Sequence, residues 1–178
     1  MLTAAGYEFE IASPQVDEKL YVDLTLRELT ALNAIRKGLS IARAHPGKVV
    51  LAADTLVALD RKILGKPRDL DEARKILRRL SGQTHEVCSA VFVCHLARAR
   101  STAFHEISRV RFYRLTEQKI DSYLAKVNPL DKAGAYAAQS GRSDIIERIT
   151  GSFTNVVGLP MEKTVHALRD LGITPRRA

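Results

Sequence analysis

The sequence contains no tryptophan, and its aromatic residues are limited to five tyrosines and five phenylalanines. No stretch interleaves basic and aromatic residues, so a stacking platform for single-stranded nucleic acid is not indicated. No apolar run approaches the roughly 20 residues of a membrane-spanning helix. The first residues, Met1-Leu-Thr-Ala-Ala-Gly-Tyr-Glu8, lack the basic and apolar regions of a secretory signal. The two cysteines, Cys88 and Cys94, fall in one apparent strand, on one face but too far apart along an extended chain for a disulfide. They are expected to be reduced core residues of a cytoplasmic protein. A Gly-x-x-x-x-Gly-Lys-[Ser/Thr] loop is missing, which removes the P-loop nucleotide fold. A Gly-x-Ser-x-Gly elbow is missing too, so covalent hydrolase chemistry has no support. None of the five histidines stands at metal-ligand spacing, and His85 and His95 are expected to be structural.

What remains is a soluble balance. The 178 residues suit one domain, with 46% hydrophobic and 27% charged residues. The net charge of +8 admits a polyanionic partner, whether nucleic acid or nucleotide phosphate. The positive residues are spread along the chain, however, and only Arg176-Arg177 forms a basic tail, as a charged solvated surface would have it.

Periodicity and punctuation predict a mixture of helices and strands. A short strand is expected over residues 7–11, followed by a loop over 13–18. Thr25-x-x-Glu28 reads as a capping box for a helix to about Ala44, with Leu29, Leu32, Ile35, Leu39 and Ala42 as its apolar stripe. A strand over 49–59, bent at Asp54, precedes a helix over 71–80 capped at Asp69-x-x-Glu72. Strands over 85–96 and 102–115 read as a long hairpin. Thr116 opens a third helix ending before Pro129. A Gly-rich passage over 131–141 leads to an apolar run at 145–149, and Pro160 and Gly172 bracket a last helix. Without strict βαβ alternation, the expected class is α/β, a mixed central sheet with flanking helices.

One polar set is not explained by core packing. In Leu51-Ala-Ala-Asp-Thr-Leu-Val-Ala-Leu59, Asp54 interrupts an apolar β-prone run, and an unpaired buried carboxylate there would cost several kcal/mol, roughly as buried charges do. The acid therefore needs a partner, a metal or a position at a strand end. Glu18 is a second acid at a loop end. Lys37 lies late on the first helix, Lys66 in the Gly-Lys-Pro turn, Asp131-Lys132 at the start of the Gly-rich passage, and Gln139 near its close. Two carboxylates can hold a divalent ion that also bridges to substrate phosphates. Lysines serve phosphate oxygens as point charges, and a glutamine can read one edge of a base. Each residue also has an ordinary reading, as a solvated charge or a turn. The residues alone point to metal-assisted phosphate chemistry.

Five segments taken together resemble the Maf family of nucleoside triphosphate pyrophosphatases. They are Val49-Val-Leu-Ala-Ala-Asp-Thr-Leu-Val57, Ile63-Leu-Gly-Lys-Pro-Arg-Asp69, Leu80-Ser-Gly-Gln-Thr-His-Glu-Val87, Pro129-Leu-Asp-Lys-Ala-Gly-Ala-Tyr136 and Gly151-Ser-Phe-Thr-Asn-Val-Val-Gly-Leu-Pro160. The resemblance implies a two-lobed Maf/ITPase-like fold whose cleft takes a nucleoside triphosphate. It implies Asp54 as general base, Thr55 and Gln139 as residues of substrate choice, and Glu18, Lys37 and Lys66 as the rest of the polar pocket. The Asp131-Lys132 passage with Gln139 is similar to the subgroup acting on dTTP and UTP, not to the 7-methyl-GTP subgroup. A magnesium or manganese ion on Glu18 and Asp54, a homodimer, and no nucleic-acid or membrane partner complete what is implied.

The resemblance breaks at one place. The family's first strand and Ser-x-Ser-Pro-Arg-Arg loop have no counterpart, because residues 2–9 match what normally follows them. Thr174-Pro-Arg-Arg177 stands at the wrong end to replace that loop. The expectation is a misassigned start or a shortened homologue. A catalytically weak nucleotide-binding protein is therefore the alternative to an enzyme, and a nucleic-acid-binding module is the second.

Overall fold

The computed structural model describes residues 1–16, 21, 23–139 and 142–176, the side chains of 142 and 143 excepted. The capping box forms as its spacing predicts. Thr25 Oγ1 accepts from the Glu28 amide at 3.3 Å, and the Glu28 carboxylate accepts from the Thr25 amide at 2.9 Å. Helix α1 (Leu26–Ala44) follows from it. Of the predicted stripe, Leu29 and Ala42 are buried. Leu32, Ile35 and Leu39 are only partly buried, whereas Thr30, Ala34, Gly38 and Ala42 form a fully buried row at intervals of four.

Small residues win that face because the helix lies very close to its neighbours. A Cβ built on Gly38 would stand 2.5 Å from Phe92 Cδ1 and 3.3 Å from Ala52 Cβ. Helix propensity alone would make Gly38→Ala stabilising by about 1 kcal/mol. The Phe92 ring is buried and cannot step aside, so the expected sign is the reverse. Urea unfolding should show Gly38→Ala destabilised by about 1–3 kcal/mol, the usual cost of overpacking. A raised midpoint would contradict the close approach.

Among the described residues five strands form one sheet in the order β2-β1-β3-β4-β5. They are β1 (Val50–Leu59), β2 (Lys62–Leu64), β3 (Thr84–His95), β4 (Arg100–Phe112) and β5 (Ile146–Thr150). β1 turns back on β2 through Asp60 and Arg61, both at positive φ, and pairs Leu59 with Lys62. This is the two-residue hairpin geometry that normally recruits Gly or Asn, which explains why the sequence did not signal β2. β4 pairs antiparallel with β5, so the predicted apolar run becomes an edge strand. The other helices are α2 (Leu70–Leu80), α3 (Glu117–Leu124), α4 (Arg142–Ile145), α5 (Phe153–Val157) and α6 (Met161–Asp170). α2 buries Ala73, Ile76, Leu77 and Leu80 as its periodicity predicts. No helix among the described residues is long and apolar enough to cross a membrane.

Two compact units divide the chain. The first comprises Met1–Asp54, Ser89–Glu106 and Gly158–Ala178. In it the alternation of β3 serves two cores: Ala90, Phe92 and Cys94 pack with α1 residues, and Val91 and Val93 pack with α6 residues. The second comprises Thr55–Cys88 and Ile107–Val157, with one core that includes Leu77, Phe112, Ile120 and Tyr123. Both cysteines are buried.

One predicted element is absent. Residues 7–11 form no strand: residues 8–11 are exposed, and the Tyr7 amide donates to the Leu2 carbonyl instead of a ladder. An apolar-polar pattern does not make a strand without a neighbour to pair with. α5, by contrast, was not predicted. The Ser152 hydroxyl accepts from the Asn155 amide at 3.2 Å, and Gly151 adopts φ 103 directly against Ser108. Asn155 then donates to the Val87 carbonyl and the Ser108 hydroxyl, so this polar residue is a buried clasp.

Candidate active site

Asp54 sits fifth in the ten-residue strand β1, which removes the strand end from the three expected alternatives, and only 7% of it is exposed. A carboxylate in that position must be compensated. α1 supplies both compensating groups from residues four apart on one helical face. Lys37 Nζ donates to Asp54 Oδ1 at 2.5 Å, and Asn33 Nδ2 donates to Oδ2 at 3.2 Å. The close approach of the Ala34–Gly38–Ala42 row is what lets these two side chains reach the strand. Both oxygens of the acid are thereby oriented.

Asn33 is a site residue that the sequence reading missed. It is 4% exposed and stands one turn after the buried Leu29 and one turn before the half-buried Lys37, so a polar residue on the face of a predicted core position was the available signal. Lys37 bridges two environments. It contacts Asp54, and it also lines a groove of about 1180 Å³ bordered by Ile41, His45, Lys48 and the start of β1.

The second unit gathers another part of the predicted set. Lys66 is exposed in the turn after β2, beside a buried Pro67. The Gly65 carbonyl accepts from the Gly134 amide at 3.1 Å, which ties the Lys66 turn to the Gly-rich passage. Asp131 and Lys132 pair at 2.6 Å. That hydrogen bond, chiefly, holds the Asp131 carboxyl below its ordinary range, and the Lys66 charge contributes in the same direction. Two lysines around one acid leave a net positive locus suited to phosphate oxygens. Gln139 is exposed at the close of the passage. Thr55 follows Asp54 on β1, so the two side chains leave on opposite faces of the strand.

The structure thus joins Asp54 with Lys37 in the first unit, and Lys66 with Asp131 and Lys132 in the second. Glu18, the other predicted metal ligand, lies outside the described residues. Among the described residues no group of three His, Cys, Asp or Glu side chains is placed to hold a metal ion. Asp54 faces a lysine ammonium and an amide donor, both competitors of a cation. These residues do not fit a preformed protein metal site.

Comparison with known proteins gives a consistent result. The family described as Maf-like protein matches residues 1–171. A dTTP/UTP pyrophosphatase of Bacillus pumilus (strain SAFR-032) is 40% identical over 175 residues, covering 98% of this chain and 92% of the relative. Proteins of the same name from Bacillus cytotoxicus (37% over 169 residues, 95% of this chain and 87% of the relative) and Bacillus cereus strain B4264 (37% over 173 residues, 97% and 90%) are similar to it as well.

Proposed function

Because the chain belongs to the Maf-like protein family, we propose that it is a nucleoside triphosphate pyrophosphatase, a hydrolase that splits dTTP or UTP into the monophosphate and pyrophosphate. The observation that carries this reading is the buried Asp54 carboxylate, held by Lys37 and Asn33 on a rigid strand. A general base must be oriented and within hydrogen-bond reach of the proton it takes. Asp54 orients a water and takes its proton as the water oxygen attacks the α-phosphorus. The bond from that phosphorus to the bridging oxygen breaks, and pyrophosphate leaves with the electron pair. Lys37, beside the base, and Lys66 offset charge that builds on the phosphate oxygens. Lys132 adds a second cation beside Lys66, and Gln139 and Thr55 serve the choice of base.

A divalent cation enters the proposal with the substrate, on the triphosphate oxygens, as magnesium commonly does. Bound there, it would neutralise phosphate charge. We also keep a cytoplasmic homodimer as part of the proposal, on family analogy. The nucleic-acid reading is disfavoured where the basic residues are densest on a helix. On α2, Arg74 pairs with Asp71 and Asp121, and Arg78 pairs with Glu117, so two of its four basic residues are already matched.

The test is pyrophosphate release from dTTP, UTP, CTP, GTP and 7-methyl-GTP with magnesium or manganese, repeated with excess chelator. Release from dTTP and UTP that chelator abolishes is the expected result. Release that survives chelation would remove the cation from the proposal. Saturable dTTP binding with no release from any nucleotide would make the protein a binder instead.

A further inference from the structure

We propose that His85 and Tyr136 form a positioning pair that pins the passage over residues 131–139, and that this pinning sets the discrimination between nucleotides. The inference rests on the pyrophosphatase reading and extends it to two residues outside the polar site.

The passage needs an external anchor. Its only regular structure is a three-residue turn, Ala133–Ala135, in which Gly134 and Ala135 both adopt positive φ, at 72° and 61°. A non-glycine residue in that region is strained and persists only where its surroundings impose it. Three contacts impose it. Gly134 donates to the Gly65 carbonyl, and its missing side chain leaves room for Val57, whose two methyls would stand 3.1 Å from a Cβ. The Ala137 amide donates to the Tyr123 hydroxyl at 2.9 Å. Between them, the Tyr136 hydroxyl and His85 Nε2 are 2.8 Å apart in the buried interior. The rings of His85, Phe112 and Tyr136 pack edge to face with one another, with centroids 4.9–5.4 Å apart.

Stability alone does not call for this pair. Apolar replacements of both partners in a buried hydrogen bond are often neutral or better. Among the described residues His85 Nδ1, also buried, has no hydrogen-bond partner. Burial lowers the His85 pKa to about 4, so the ring is neutral at physiological pH and the bond is not switched there. A directional bond between neutral groups fixes where Tyr136 lies, which an apolar contact would leave free to slide. Lys132 precedes the anchor, Gln139 follows it, and Lys66 is joined to it through Gly65. All three would lose their common frame if the anchor slackened.

The test uses the full chain. Tyr136→Phe removes one oxygen, and the double variant His85→Leu/Tyr136→Phe removes the polar pair while keeping an apolar core. Two quantities are read: amide hydrogen exchange over residues 133–138, and the ratio of kcat/KM for dTTP to that for CTP. Both variants should exchange about tenfold faster in the passage, the factor one lost hydrogen bond represents, and the ratio should fall about as far. A loss of folded protein lowers both substrates alike and leaves the ratio unmoved. An unchanged ratio in folded variants, including one already near unity in the wild type, overturns the inference. If the wild type releases no pyrophosphate at all, the pyrophosphatase reading fails separately. Exchange in the passage then decides whether the pair pins it: acceleration upholds the anchor, and wild-type protection overturns it.

Discussion

Asp54→Asn is expected to lower pyrophosphate release from dTTP by roughly 10²–10⁴, the range for loss of a general base. Asparagine has nearly the same shape; its one oxygen can still accept from Lys37, and its NH2 can donate to the Asn33 oxygen once that side-chain amide is reversed, so the fold and the α1–β1 contact are expected to persist. What disappears is the ability to take a proton. The loss should therefore fall on kcat, with KM for dTTP changing by only a few-fold, because nothing that holds the nucleotide has been removed. Steady-state kinetics on protein of verified secondary structure separates the two. Turnover near that of the wild type would end the assignment of Asp54 as base. A KM raised as much as kcat is lowered would make it a binding residue instead.

Lys37→Met is expected to damage stability more than any other single change in the site. It leaves the Asp54 carboxylate, 7% exposed, with Asn33 as the remaining partner described here. Removing one partner of a buried ion pair typically costs about 3–5 kcal/mol, since the other charge is stranded. The Lys37 side chain retains 17% exposure, which argues for the lower end of that range. The double variant Asp54→Asn/Lys37→Met should recover most of the loss, because it strands no charge. Urea unfolding of the wild type, both single variants and the double variant closes the cycle, provided the slopes agree. A Lys37→Met protein as stable as the wild type would show that water reaches Asp54 freely. A double variant no more stable than Lys37→Met would show that the lysine acts through packing and not through charge.

Local signals were legible where they carried their own physics. The Thr25–Glu28 capping box, the amphipathic stripe of α2, the β3–β4 hairpin and the glycine after α6 all depend on residues a few positions apart. That Asp54 needs compensation was legible for the same reason, since an acid in an apolar strand must be compensated wherever the strand goes. What compensates it was not legible: the resemblance implied Lys37 for the polar pocket but not as the partner of Asp54, and Asn33 was not read at all. The apolar stripe of α1 held at Leu29 and Ala42 and misled at Leu32, Ile35 and Leu39, because large aliphatics mark a buried face only when the helix stands at an ordinary distance from its neighbour. Here Gly38 brings the helix closer, and the small residues beside Asn33 take the inner face.

Residues 7–11 make the complementary point, since a strand-like pattern found no partner there. Elements whose stabilising contacts lie within a few residues were determined by the sequence itself, together with the kinds of chemical group available to the site. The tertiary structure decided which groups meet: Asn33 and Lys37 with Asp54, and His85 with Tyr136 across 51 positions. Such contacts depend on the distance between packed elements, which is a sum over many side chains and is written in no short segment of the chain.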